Sequence, residues 1–237
     1  MIQRKPIRAR SSLLIVAAFL CMPFSTATAG ENGQNALVDS VYWLLGGIKG
    51  TPISGRVVDA KSGEPIEGVS VLAHWDKVGW HGVVDERLAI VEALTDTEGN
   101  YTLPGWGPQL SWVSSTTLME FPVIYFFKVG YNPLAVGEKS VVIHGKREIS
   151  RMALSSSWQG KTIPLTPMGD DLAEYAKEVL SFVGAMSFVL YEKSGDCYWK
   201  YYPKTISSYM YARNYLKEKG IVYLTTDYDK LPCASGD

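Results

Sequence analysis

Histidine is scarce in this chain, with three in 237 residues. The residue three positions after His74 is Lys77, after His81 it is Val84, and after His144 it is Arg147, so the His-x-x-Glu pair of a zinc hydrolase is absent. The His-Glu-x-x-His, Gly-x-Ser-x-Gly, P-loop and Gly-x-Gly-x-x-Gly patterns are absent as well. Long apolar runs are also lacking. The stretches at 13–22 and 179–191 are both short of the roughly 20 residues that cross a bilayer. Charge of one sign does not dominate: the formal net charge is −1. Cysteine is rare, with three residues.

What is present begins with an ordered N-terminal pattern. Arg4, Lys5, Arg8 and Arg10 form a basic stretch, residues 13–22 are apolar, and Ala27-Thr28-Ala29 supplies small residues. That order predicts a secretory signal peptide over 1–29, cleaved after Ala29. Cleavage leaves 19 basic residues against 24 acids, a net charge of about −5. Such a surface favours neither nucleic acid nor anionic lipid. The expected localisation is periplasmic or secreted. With Cys21 removed, Cys197 and Cys233 remain, and an oxidising compartment predicts one disulfide between them.

Residues 30–52 read as a linker with a short apolar packing segment at 41–45. From Ile53 short β-rich runs alternate with turns: 53–58, 69–75, 90–95, 101–103, 121–128, 140–143, 149–154 and 161–165. Seven or eight such strands predict a β-sandwich of the immunoglobulin or prealbumin kind. Val57, Val69, Val71, Tyr101, Leu103, Tyr125 and Phe127 are expected between its sheets. Residues 76–87 and 104–120 read as loop insertions. After Pro167 the period changes. Leu172, Tyr175, Ala176, Val179, Val183, Met186 and Leu190 mark an amphipathic helix, with Asp170 or Asp171 as its cap. A second helix is expected from Pro203 to about Gly220, with Ile206, Tyr209, Met210, Arg213 and Leu216 on one side. The fold class is therefore mainly β, with a disulfide-tied two-helix segment over 168–237.

Four motifs follow one another in order: 53–59 (Ile-Ser-Gly-Arg-Val-Val-Asp), 63–71 (Gly-Glu-Pro-Ile-Glu-Gly-Val-Ser-Val), 95–103 (Thr-Asp-Thr-Glu-Gly-Asn-Tyr-Thr-Leu) and 128–131 (Lys-Val-Gly-Tyr). In that order the chain resembles carboxypeptidase regulatory-like domains over roughly 53–167. The resemblance implies a transthyretin-like sandwich. It implies no activity, because such modules are attached to many unrelated proteins. The catalytic domain of a metallocarboxypeptidase has no room here. The Tyr-Arg-Gly-Ser ending of transthyretin-like hydrolases is missing.

Candidate chemistry is sparse, and neither a catalytic residue, a cofactor nor a metal is assigned. His74 and His81 lack zinc spacing and read as exposed or hydrogen-bonded histidines. Asp96, Glu98 and Asn100 alternate like calcium ligands but sit in a β-turn pattern. Asp85 and Glu86 read as a solvated pair. Aromatics are the stronger signal. Tyr198, Trp199, Tyr201, Tyr202, Tyr209, Tyr211, Tyr215, Tyr223 and Tyr228 crowd the C-terminal region. They either pack its helices or present an interface. Trp106 and Trp112 either cap the sandwich or form a binding rim. The interaction surface expected from this reading is Trp106, Trp112, Tyr198, Trp199 and Tyr211. The expected function is a non-enzymatic envelope protein that engages a protein partner, with carbohydrate or peptidoglycan as the alternative ligand.

Overall fold

The computed structural model describes residues 48–78, 84–109, 118–119, 122–137, 141–142, 152–190 and 202–222. Residues 1–29, expected to be a signal peptide, the apolar stretch 41–45, His81, His144, Cys197 and Cys233 lie outside them. Among the described residues twelve strands precede two helices. The strands are β1 (Ile48–Gly50), β2 (Ile53–Asp59), β3 (Ser70–Val78), β4 (Val84–Leu94), β5 (Asn100–Leu103) and β6 (Trp106–Gln109). They continue with β7 (Leu118–Met119), β8 (Val123–Phe127), β9 (Leu134–Val136), β10 (Val141–Val142), β11 (Met152–Leu154) and β12 (Lys161–Leu165). The helices are α1 (Leu172–Leu190) and α2 (Pro203–Glu218).

The strands form three sheets with mixed pairing. In one, β2 lies between antiparallel β5 and parallel β12. In the largest, β3 lies between β4 on one side and β8 and β7 on the other, with β9 beyond β8. In the third, β1 joins β11 and β6, which ties the end of the 30–52 segment to the body.

Strand alternation explains how these sheets are covered. Val71, Ala73 and Trp75 of β3 point to one face, with Ile124 and Phe126 of β8. They share an apolar cluster with Ile53 and Val57 of β2, Tyr101 and Leu103 of β5, and Ile163 and Leu165 of β12. Leu72 of β3 and Tyr125 and Phe127 of β8 point to the opposite face. There they meet Tyr175, Val179, Phe182 and Val183 of α1 and Ile206, Tyr209 and Leu216 of α2. Burying each such side chain contributes about 1.5–3 kcal/mol. All seven residues expected inside are buried. Tyr125 and Phe127, however, face the helices rather than the second sheet. The reason is that β8 is apolar on both faces, and Ile124 and Phe126 take the face turned to the other sheet.

The stretch 76–87 is not a loop insertion. Residues 76–78 extend β3 and residues 84–87 extend β4, making them nine and eleven residues long. Register shifts between Trp75 and Asp76 and between Lys77 and Val78 break the period of two, which hides the strand from a pattern reading. The stretch 104–120 likewise contains β6, paired with β1, and β7, paired with β3 and β10.

Two glycines of the four ordered motifs have packing reasons. Gly55 sits opposite Tyr101 in the β2–β5 ladder. A Cβ there would lie 2.6 Å from Tyr101 Oη and 2.7 Å from the Lys161 carbonyl oxygen. Gly99 adopts φ +76°, and a Cβ there would clash with the Val57 carbonyl oxygen. The turn around it is closed by Asp96, whose Oδ1 accepts the Glu98 and Asn100 amides at 3.0 and 2.7 Å.

α1 starts where expected: Asp171 Oδ1 accepts the Ala173 and Glu174 amides at 2.9 and 3.1 Å. α2 has Pro in its first turn but no cap from its own neighbourhood, since Tyr202 makes no side-chain cap bond. Its cap comes from β4. Glu92 Oε1 accepts the Lys204 amide at 3.0 Å, and Oε2 accepts the Thr205 amide and hydroxyl, both at 3.0 Å. Thr205 gives its only hydroxyl proton to Glu92, so Ser70 Oγ donates to Thr205 Oγ1 across 2.8 Å. This pins the start of α2 to the sheet.

Candidate functional site

Among the described residues two places combine polar chemistry with a defined geometry. The first is buried. On the helix-facing side of β3, His74 and Asp76 alternate on one face, and the register sets Arg87 of β4 opposite Asp76. Arg87 Nε donates to Asp76 Oδ1 at 2.9 Å. His74 Nδ1 lies 3.0 Å from Asp76 Oδ2, at ion-pair distance but out of line for a ring N–H bond. His74 Nε2 is 3.5 Å from Tyr125 Oη, and the two rings stack at 5.7 Å. Burial opposes charge on Asp76, but His74 and Arg87 outweigh it and hold its carboxyl below the ordinary value of 3.8. Burial, with the Asp76 charge second, pushes the Tyr125 hydroxyl up. His74 is 7% exposed, and neither groove described below is lined by any of these residues. This buried group ties β3 to β4 through Arg87 and to β8 through Tyr125.

The second place is open. A groove of about 610 Å³ runs between α2 and the turn after β8. Its α2 wall carries Ser207, Ser208, Tyr211 and Tyr215; the opposite wall is Lys128, Val129, Gly130, Gly68 and Met168. Helix geometry accounts for the first wall. Ser207, Tyr211 and Tyr215 recur every four residues on one ridge, and Lys219 continues it. Thr205, Ile206, Tyr209, Ala212 and Leu216 point inward to the sheet. Tyr211 is 67% exposed. The Lys219 ammonium lies 5.9 Å from the centre of the Tyr215 ring. The second wall is fixed by main-chain bonds: Tyr131 N–H to the Lys128 carbonyl at 3.1 Å and Met168 N–H to the Gly130 carbonyl at 2.9 Å. Lys128 Nζ donates to the Glu67 carbonyl at 2.5 Å.

A smaller groove of about 370 Å³ lies beyond the 166–170 segment and is lined by Asp170, Asp171, Glu174 and Glu178, with Asn132 and Tyr175. Burial, above all, pushes the Tyr175 hydroxyl to about 12. Among the described residues no group of three His, Cys, Asp or Glu is arranged to hold a metal ion.

The structure places two of the five expected surface aromatics. Tyr211 stands exposed on the groove. Trp106 is half-buried, packs over Gly50 of β1 and meets Trp75 edge-on at 5.7 Å. Trp112, Tyr198 and Trp199 lie outside the described residues. Ser207 and Ser208 were not singled out from the sequence, and Lys128 was read only as the first residue of the 128–131 motif. The signal for Ser207 is the four-residue spacing of 207, 211, 215 and 219, which only matters once the inward face of α2 is known.

No family model matches the chain, and no curated protein matches it. Among solved structures, 3-chlorocatechol 1,2-dioxygenase from Rhodococcus opacus 1CP is similar at 16% identity and a TM-score of 0.28, over 51% of this chain and 60% of that one. The chain thus spans less than two thirds of that enzyme. The C-terminal domain of shaft pilin spaA from Lactobacillus rhamnosus GG is similar at 11% identity and a TM-score of 0.23, over 50% of this chain and 98% of that domain. A cohesin–X-dockerin complex from Acetivibrio cellulolyticus is similar at 14% identity and a TM-score of 0.23, over 55% of this chain and 72% of that one. Overlaps this loose carry no argument about fold or function. Among the described residues no helix is long and apolar enough to cross a membrane.

Proposed function

We propose that this chain is an exported, non-enzymatic envelope protein that docks a protein partner on the outer ridge of α2. In this reading residues 1–29 are the signal peptide, 30–52 a linker, 53–167 a carboxypeptidase regulatory-like sandwich and 168–237 the helical region. Cys197 and Cys233 are joined. The family reading is supported by the four ordered motifs. It is supported further by the core shared between the β2–β5–β12 sheet and the β3–β8 sheet.

The observation that carries the docking reading is the exposure of Tyr211. A helix whose inner face is fully used places a large ring in solvent, next to a second tyrosine and a groove. Tyrosine in such a place gives contact area with a polar tip, as interfaces favour. The test is a comparison of immobilised mature protein with its Tyr211→Ala variant in envelope extract, with insoluble peptidoglycan as a separate arm. A specific protein retained by the wild type and lost from the variant supports docking. Retention on peptidoglycan alone overturns it.

A further inference from the structure

We propose that the groove between α2 and the 128–130 turn takes an extended acidic peptide. This inference rests on the docking reading above and names the chemistry of the partner. The groove has one cation, Lys128, and no carboxylate among its lining residues. The Lys128 ammonium gives one N–H to the Glu67 carbonyl and keeps two for a ligand. Ser207 and Ser208 add hydroxyl donors across the groove. At the far end of the ridge Lys219 sets a second ammonium above Tyr215.

The two cations therefore bracket a path along α2. From residue 207 to residue 219 the ridge rises roughly 18 Å at 1.5 Å per residue. An extended chain of about five or six residues spans that length. The tyrosine rings between the cations offer apolar contact to its side chains. A sugar is disfavoured because one face of Tyr215 already carries Lys219, which leaves that ring less free to stack on a pyranose. A basic peptide is disfavoured here and drawn instead to the neighbouring groove, whose lining carries Asp170, Asp171, Glu174 and Glu178. The 166–170 segment thus separates two grooves of opposite charge.

The experiment uses the mature chain with fluorescein-labelled hexaglutamate, hexalysine and the hexamer of N-acetylglucosamine, followed by fluorescence polarisation or calorimetry. Hexaglutamate is expected to bind, and about fivefold more weakly to Lys128→Met and to Tyr211→Ala. Lys128→Arg is expected to retain binding, and raising salt to about 0.5 M to weaken it. Equal thermal midpoints for the Met and Arg variants show that the fold is intact. Absent hexaglutamate binding, equal binding by Lys128→Met, or hexalysine binding as tight overturns the inference. If a protein partner is still captured through Tyr211, the docking reading survives that failure. If only the sugar hexamer binds, both fall.

Discussion

Glu92 of β4 caps the first turn of α2 through Thr205: one carboxylate oxygen accepts both the amide and the hydroxyl of Thr205, each at 3.0 Å. The two residues are 113 positions apart, so this cap is a tertiary contact that orients the ridge carrying Tyr211. A carboxylate at a helix N-terminus also meets the positive end of the helix dipole. Glu92→Ala is expected to cost about 1–2 kcal/mol, the range of a lost cap. A double-mutant cycle with Thr205→Val in denaturant unfolding should show coupling of roughly 0.5 kcal/mol or more. Additive losses would mean that the two side chains act independently.

The buried ion group makes a pH prediction. The folded-state pKa of Asp76 lies below its ordinary 3.8. The stability it supplies is therefore complete above that ordinary value and is lost as pH falls through the lower, folded-state value. Asp76→Asn should be less stable than wild type at pH 7, and the gap should narrow below about pH 4. Removing one partner of a buried pair costs about 3–5 kcal/mol. Urea midpoints across pH measure this; a gap independent of pH would contradict it.

Phe126 and Phe127 separate the two cores. Phe126 meets Tyr101 edge-on at 5.6 Å, whereas Phe127 stacks on Phe182 of α1 at 5.5 Å. Each substitution to Ala is expected to cost about 3–5 kcal/mol. Hydrogen exchange should tell them apart. Phe127→Ala should speed exchange in α1 and α2 first, and Phe126→Ala in β2, β5 and β12 first. An identical exchange pattern for both variants would contradict two separate cores.

Much of this architecture is legible in the residues. The turn glycines, the strand periods and the Asp171 cap are local signals, and local signals survive a reading without coordinates. The second core is less visible, although β8 hints at it: Ile124-Tyr125-Phe126-Phe127 is apolar without alternation, as a strand covered on both faces must be. Reading that run as one-sided puts Tyr125 and Phe127 in the wrong core. The β3–β4 hairpin is hidden by its register shifts, and by Asp76 and Arg87, polar residues that satisfy each other only after pairing. The groove is the least legible, because Lys128 and Ser207 come together only when α2 docks on the sheet. The Glu92 cap is hidden for the same reason.

Export and crosslinking make a covalent prediction. The exported protein should begin at Gly30, and non-reducing mass spectrometry should find Cys197 joined to Cys233. A loop of about 37 residues closed this way gains roughly 3–4 kcal/mol by chain entropy. Retention of Met1, or two alkylatable thiols in the exported protein, would contradict the proposal.

The docking face is tested most directly by placing a photo-crosslinking benzoylphenylalanine at Tyr211 and, as a control, at the exposed Glu64 in the turn before β3. The protein is exported normally, irradiated, and its adducts are identified by mass spectrometry. The account predicts a discrete protein adduct from position 211 that is absent from position 64 and is reduced by Lys128→Met. No adduct from position 211, or the same adducts from both positions, would contradict it.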